Sequence, residues 1–203
     1  MLTIWGRINS HNVKKIVWFA QELRLPFVRH DVGGQFGMDA AYLAKNPNAL
    51  IPTIEDEGMV LWESNAILRY LAAQYGADRF WPTDPAIRAQ GDKWMDWQFA
   101  YADAQRRAFG NLIRVPAPDR NHEAIALSAK KSGDMMAVLD AALATQPYLS
   151  GDQFGVFDVP MGIYAHTWFT LAIDRPDRPH VRDWYDRLLA RPAFAEIAAI
   201  PLS

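Results

Sequence analysis

The stretch Asn46-Pro47-Asn48-Ala49-Leu50-Ile51-Pro52-Thr53-Ile54, continued by Leu61-Trp62-Glu63-Ser64-Asn65-Ala66-Ile67, decides how the first part of this chain is read. Asn46-Pro47 stops a short helical pattern over residues 39–45, because a residue before proline is pushed out of the α region. Residues 53–55 and 60–62 are β-like runs flanking Asp56-Glu57-Gly58-Met59, where Gly58 marks the turn of a hairpin. Pro52 therefore opens a strand, a position at which the X-Pro bond can be cis for only ~0.5–1 kcal/mol. Ser64 stands where the second hairpin strand gives way to a helical pattern carrying Ile67, Tyr70, Leu71 and Gln74. A helix amino terminus offers free N–H groups and a partial positive charge, so Ser64 is either a plain N-cap or part of a carboxylate site, and both roles can coexist.

Upstream, Leu2-Thr3-Ile4-Trp5 is a short strand stopped by Gly6. Val13, Ile16, Val17 and Ala20 then form an i, i+3, i+4, i+7 stripe, which Trp18 and Phe19 widen. Residues 27–30 read as a second strand, giving the order β-α-β-α-β-β-α. From residue 76 to 85 the periodicity breaks around Pro82 and Pro85, which marks a linker. Beyond it there are only helical patterns, over residues 86–113, 122–145, 159–172, 180–190 and 192–199, with Gly133 a weak point inside the second. The expected organisation is an α/β domain over residues 1–79 and an all-α domain over residues 84–203.

The ordered set Ser10-His11-Asn12-Val13-Lys14-Lys15, Ile51-Pro52-Thr53 and Glu63-Ser64-Asn65-Ala66-Ile67 resembles the cytosolic glutathione transferases, of the serine-type, bacterial-like and theta-related kind. The resemblance spans essentially the whole chain and implies a thioredoxin-like glutathione-binding domain followed by a helical substrate-binding domain. It implies a cis Ile51–Pro52 bond that leaves the Ile51 N–H and C=O to pair with the cysteinyl part of glutathione, as strand addition does. It assigns Glu63 to the γ-glutamyl ammonium and Ser64 to the α-carboxylate. Glutathione reacts as its thiolate, which a hydroxyl donor at the start of the first helix favours. The family uses tyrosine, serine or cysteine there; the first tyrosine is Tyr42 and there is no cysteine, so Ser10 is the expected catalytic residue. Asn12 can equally offer its amide to the sulfur, and Asn9 competes with both for the plain capping role.

The resemblance also places a second-substrate pocket between the domains, with Arg7 and Ile8 after the first strand and Trp97, Tyr101 and Gln105 on the long helix. An aromatic stripe at helical spacing can equally be core. Three departures stand out. Ala49 replaces the glycine many relatives carry, Gly155 stands three residues before Asp158 where Ser or Thr is frequent, and no basic residue is matched to the glycyl carboxylate, for which the 35–37 loop is the expected region.

Composition narrows the functions. The absence of cysteine excludes disulfides, thiolate metal sites and a protein thiol nucleophile. A net charge of −2 gives no field to attract nucleic acid or anionic membrane. The five histidines lack metal-ligand spacing, so no metal is expected, and no phosphate loop or nucleophile elbow occurs. The expectation is a cytoplasmic homodimer using glutathione as co-substrate against a small electrophile. The alternatives are glutathione-dependent isomerisation or dehalogenation, or a catalytically silent assembly protein of the same fold.

Overall fold

The computed structural model describes all residues, Met1–Ser203. They form two compact units, Met1–Thr83 and Asp84–Ser203. The first contains β1 (Leu2–Trp5), α1 (His11–Glu22), β2 (Phe27–His30), α2 (Ala40–Lys45), β3 (Thr53–Asp56), β4 (Met59–Trp62), α3 (Ser64–Tyr75) and α4 (Ala77–Phe80). The strands make one sheet in the order β2-β1-β3-β4; β1 and β2 are parallel, and the other two pairs are antiparallel. This is the thioredoxin-like arrangement, with the β1–α1–β2 crossover on one side and a hairpin on the other.

Alternation along β1 buries Leu2 and Ile4 and leaves Thr3 and Trp5 half-exposed. The Trp5 face carries a polar-aromatic cover. Its indole stacks on His30 at 4.5 Å, donates to Glu55 Oε1 at 2.7 Å and lies under the Lys45 ammonium. Helices α1 and α3 pack on each other. Every residue of α1 from Val13 to Ala20 is buried, so this helix is enclosed all round rather than on one stripe.

The expected linker is partly structured. Residues 77–80 form α4, and Phe80 is buried with its ring edge-on to Phe19 at 5.5 Å, which holds this segment to the first unit as far as Thr83.

The second unit contains α5 (Pro85–Phe109), α6 (His122–Leu143), α7 (Asp158–Thr170), α8 (Pro179–Leu189) and α9 (Pro192–Ala198). Proline at the first turn of α5, α8 and α9 starts each where a missing N–H is harmless. The long pattern to residue 113 ends earlier as α-helix, at Phe109, and continues as a π-helical turn over Gly110–Arg114. Gly133 does not break α6. Trp168, Trp184 and Phe194 anchor the core of this unit at 1% exposure or less.

Candidate active site at one end of the sheet

Sheet register gathers the expected site residues. Trp5, the last residue of β1, pairs with Thr53, the first of β3, which pairs with Trp62, the last of β4. Neighbouring strands lie about 4.8 Å apart. The chain leaving Trp5 toward Ser10, the chain entering at Ile51-Pro52 and the chain leaving Trp62 into Glu63-Ser64 therefore share one end of one sheet. Gly6 makes the first exit possible: its φ is +147°, and a Cβ there would stand 2.5 Å from Val13 Cγ2 and 3.2 Å from Ile51 Cβ.

The Ile51–Pro52 bond is cis, and no backbone hydrogen bond occupies the Ile51 N–H or C=O. The preceding loop is held from below. Asn46 Nδ2 donates to the Leu50 carbonyl at 3.0 Å and to Thr53 Oγ1 at 3.1 Å, and the Tyr42 hydroxyl donates to the same carbonyl. Asn46 Oδ1 accepts the Asn48 N–H at 3.1 Å. This closes the turn in which Ala49 takes φ +54°, so the turn keeps the shape a glycine would favour and alanine bears the strain. A left-handed conformation costs a non-glycine residue about 1–2 kcal/mol, against roughly 0.5–1 kcal/mol of extra chain entropy lost by glycine. Ala49→Gly is therefore expected to raise the melting temperature by about 1–3 °C in differential scanning calorimetry. A lower melting temperature would show that the turn is not strained.

Ser10 is the N-cap of α1 with φ −75° and ψ 131°, yet its hydroxyl makes no capping hydrogen bond. It is half-buried, as is Asn12 in the first turn. Asn9 is engaged differently, accepting from Arg7 Nη1 at 2.7 Å. A hydroxyl at a helix amino terminus that does not serve the helix can donate to an external anion.

Glu63 is exposed and holds φ +73°, ψ 110°, a conformation that costs a non-glycine residue roughly 1–3 kcal/mol and is found where function fixes the backbone. It caps no N–H of α3. The side chain of Ser64 is largely covered, at 3% residue exposure, and its Oγ accepts from Lys15 Nζ at 3.2 Å. The same ammonium donates to Asn65 Oδ1 at 3.2 Å, with Lys15 itself wholly buried. Burial lowers its pKa to about 7, and Glu63 acts in the opposite sense. Sequence reasoning missed Lys15. The signal was the pair Trp18-Phe19 beside the apolar stripe, which marks a helix covered on more than one side.

The second-substrate residues divide. Arg7 and Ile8 lie half-buried in the loop between β1 and α1, and Trp97 on α5 is half-buried, stacked on Tyr101 at 5.9 Å and edge-on to Trp94 at 5.4 Å. Tyr101 and Gln105 correct the expectation that they line a pocket. Tyr101 has no exposed surface and Gln105 only 2%; Gln105 Nε2 donates to the Tyr101 hydroxyl and to the Tyr164 carbonyl, both at 3.2 Å. Their polar atoms are consumed inside the helical unit, so the core reading of that stripe holds for these two.

Comparison with known proteins gives this geometry its family. Residues 9–74 match the family model described as Glutathione S-transferase, N-terminal domain. Glutathione S-transferase GstB of Escherichia coli strain K12 is 43% identical over 208 aligned positions, covering 100% of both chains. A Disulfide-bond oxidoreductase, YfcG, from the same organism is 30% identical over 91% of this chain and 89% of its own. Among solved structures, the theta class glutathione S-transferase of Xanthomonas axonopodis pv. citri with glutathione bound superposes with a TM-score of 0.95 at 47% identity, covering 100% of this chain and 99% of that one. The sheet, the cis Ile51–Pro52 bond, the uncommitted hydroxyl at α1 and the full-length likeness agree, and the chain belongs to the glutathione S-transferase family as a glutathione transferase.

Proposed function

We propose that this protein binds glutathione along the sheet end formed by the carboxyl ends of β1 and β4 and the amino end of β3, ionises its thiol with Ser10 and adds the thiolate to a small, partly apolar electrophile. The observation that carries the reading is the Ser10 hydroxyl, placed at the N-cap of α1 without serving as its cap. The cysteinyl backbone pairs with Ile51 as a short added strand. The γ-glutamyl ammonium meets exposed Glu63, and its carboxylate meets Ser64 and the first-turn N–H groups of α3. Hydrogen bonding by Ser10 and the α1 dipole both favour the thiolate over the thiol. Addition forms one carbon–sulfur bond and expels a leaving group or, at an activated alkene, protonates the neighbouring carbon. Arg7 and Ile8 are the acceptor contacts nearest Ser10 in the chain, and Trp97 contributes the aromatic surface of the helical unit. A cytoplasmic homodimer without nucleic-acid or membrane partners completes the proposal, as the family resemblance implies.

The test is a pH titration of the ultraviolet thiolate absorbance of glutathione mixed with the protein. A bound thiol ionising well below the ~8.5 of a free cysteine thiol is the expected result. Binding with an unshifted thiol would indicate a carrier, and no binding at millimolar glutathione a silent scaffold.

A further inference from the structure

A fully buried lysine is unusual, because burial costs a charged group its hydration unless it is well paired. Lys15 sits beneath the amino terminus of α3, its Nζ 3.2 Å from both Ser64 Oγ and Asn65 Oδ1. Both are neutral oxygens on the first two residues of the helix that leads out of strained Glu63. Such a placement has a consequence for Ser64. A hydroxyl has one proton and two acceptor lone pairs. With the ammonium filling a lone pair from the protein side, the Ser64 proton is directed to the remaining side, where the first-turn N–H groups of α3 also point. A cation behind the helix amino terminus adds to the positive end of its dipole. Burial lowers the Lys15 pKa to about 7 and the Glu63 carboxylate opposes that fall, so a further carboxylate arriving at the helix amino terminus would favour the ammonium form.

We infer that Lys15 is the positioning residue of the γ-glutamyl carboxylate site: through Ser64 it aims the hydroxyl outward, and it supplies the buried positive charge that selects a carboxylate there. This rests on the glutathione reading above and deepens it. It follows that Lys15 matters for one group of the ligand and not for the thiol chemistry. Lys15→Met would remove the cost of a buried charge but leave the Ser64 and Asn65 oxygens without this donor, so the two effects on stability oppose each other.

The experiment is a cycle of two ligands and three proteins, read by calorimetric affinity and by melting temperature. The ligands are S-methylglutathione, which has no ionisable thiol, and the same compound with its γ-glutamyl α-carboxylate converted to the amide. The proteins are the wild type, Lys15→Met and Lys15→Gln. Lys15→Met is expected to bind S-methylglutathione about 10-fold or more weakly and to bind the amide within about 2-fold of wild type, with a melting temperature within a few degrees of wild type. Lys15→Gln, which keeps a donor for Ser64 but loses the charge, should fall between. In turnover, Lys15→Met should raise KM for glutathione and leave kcat within about 2-fold. Equal losses for both ligands, or no loss for either, would overturn the inference, as would failure of both variants to fold, which would make Lys15 a structural residue. Wild type binding neither ligand is a different result and overturns the glutathione reading itself.

Discussion

Ser10→Ala is expected to raise the pKa of bound glutathione by about 1–2 units and to lower kcat toward an aryl halide at neutral pH by about 10- to 100-fold. The magnitude follows from the bond removed. A hydrogen bond to a charged group contributes about 1.5–3 kcal/mol, and each pKa unit is about 1.36 kcal/mol of difference between the two protonation states. The Ser10 hydroxyl makes no capping bond, so its loss should leave α1 nearly as stable as before, unlike a serine whose side chain closes its helix. Glutathione is held by Ile51, Glu63 and Ser64 in the proposal, so KM should move by less than about 2-fold, the pattern of an interaction used in the reacting state and not in binding. The thiolate absorbance titration and steady-state kinetics measure the two halves of the prediction separately. Asn12→Ala is the comparison. If it carries the pKa shift while Ser10→Ala leaves the thiol unchanged, the sulfur is held by the amide at the second residue of α1, and the hydroxyl is a bystander.

Much of this arrangement was legible because its signals are local. Proline opening a strand, glycine in the 56–59 turn and serine at a strand-to-helix junction each impose backbone geometry through their own covalent structure, so Pro52, Gly58 and Ser64 placed three elements without tertiary information. The departure at Ala49 was visible too, but not its outcome. Only the hydrogen bonds of Asn46 and Tyr42 show that the turn is held from outside itself, so that alanine must follow it into a left-handed conformation. What stayed hidden depends on long-range contact. The alignment of Trp5, Thr53 and Trp62 is a matter of strand register, which no single strand specifies. Lys15 was hidden for another reason: a polar residue beside an apolar stripe reads as solvent-facing, and only all-round burial of α1 reverses that. Tyr101 and Gln105, which the family resemblance placed in a pocket, are buried in the helical unit; helical spacing puts them on the Trp97 side of α5 but carries no measure of depth.

Asp158→Ala is expected to be the most destabilising substitution considered for this protein, at about 3–5 kcal/mol. The carboxylate is wholly buried and accepts three N–H donors from three separate places: Leu149 N at 2.7 Å, Gly155 N at 3.0 Å and Trp184 Nε1 at 2.9 Å. It thus ties the loop before α7, the turn that starts α7 and the core indole of α8 to one point. Desolvation raises the carboxyl pKa, while the donors at Gly155, Trp184 and Leu149 oppose that rise. Alanine would leave three buried donors without an acceptor, each an unmade bond of about 1–3 kcal/mol that does not add fully with the others. At about 2–4 °C per kcal/mol for a chain of this length, the melting temperature should fall by roughly 10 °C. Asp158→Asn should fall between, since its amide keeps one oxygen but turns an NH2 toward a donor. Glycine at 155, where relatives often place a hydroxyl residue, does not weaken this knot. Ser150 fills that space, and a Cβ at Gly155 would stand 2.6 Å from Ser150 Oγ and 2.8 Å from its Cβ. Gly155→Ser should therefore destabilise the protein, although local capping rules alone would favour serine at that position. Because Asp158 lies in the helical unit and the glutathione residues in the other, the folded fraction of Asp158→Ala should bind S-methylglutathione as wild type does. Thermal unfolding of Asp158→Ala within 1 °C of wild type would mean that these three donors find other partners, and that α7 does not depend on a buried carboxylate for its start.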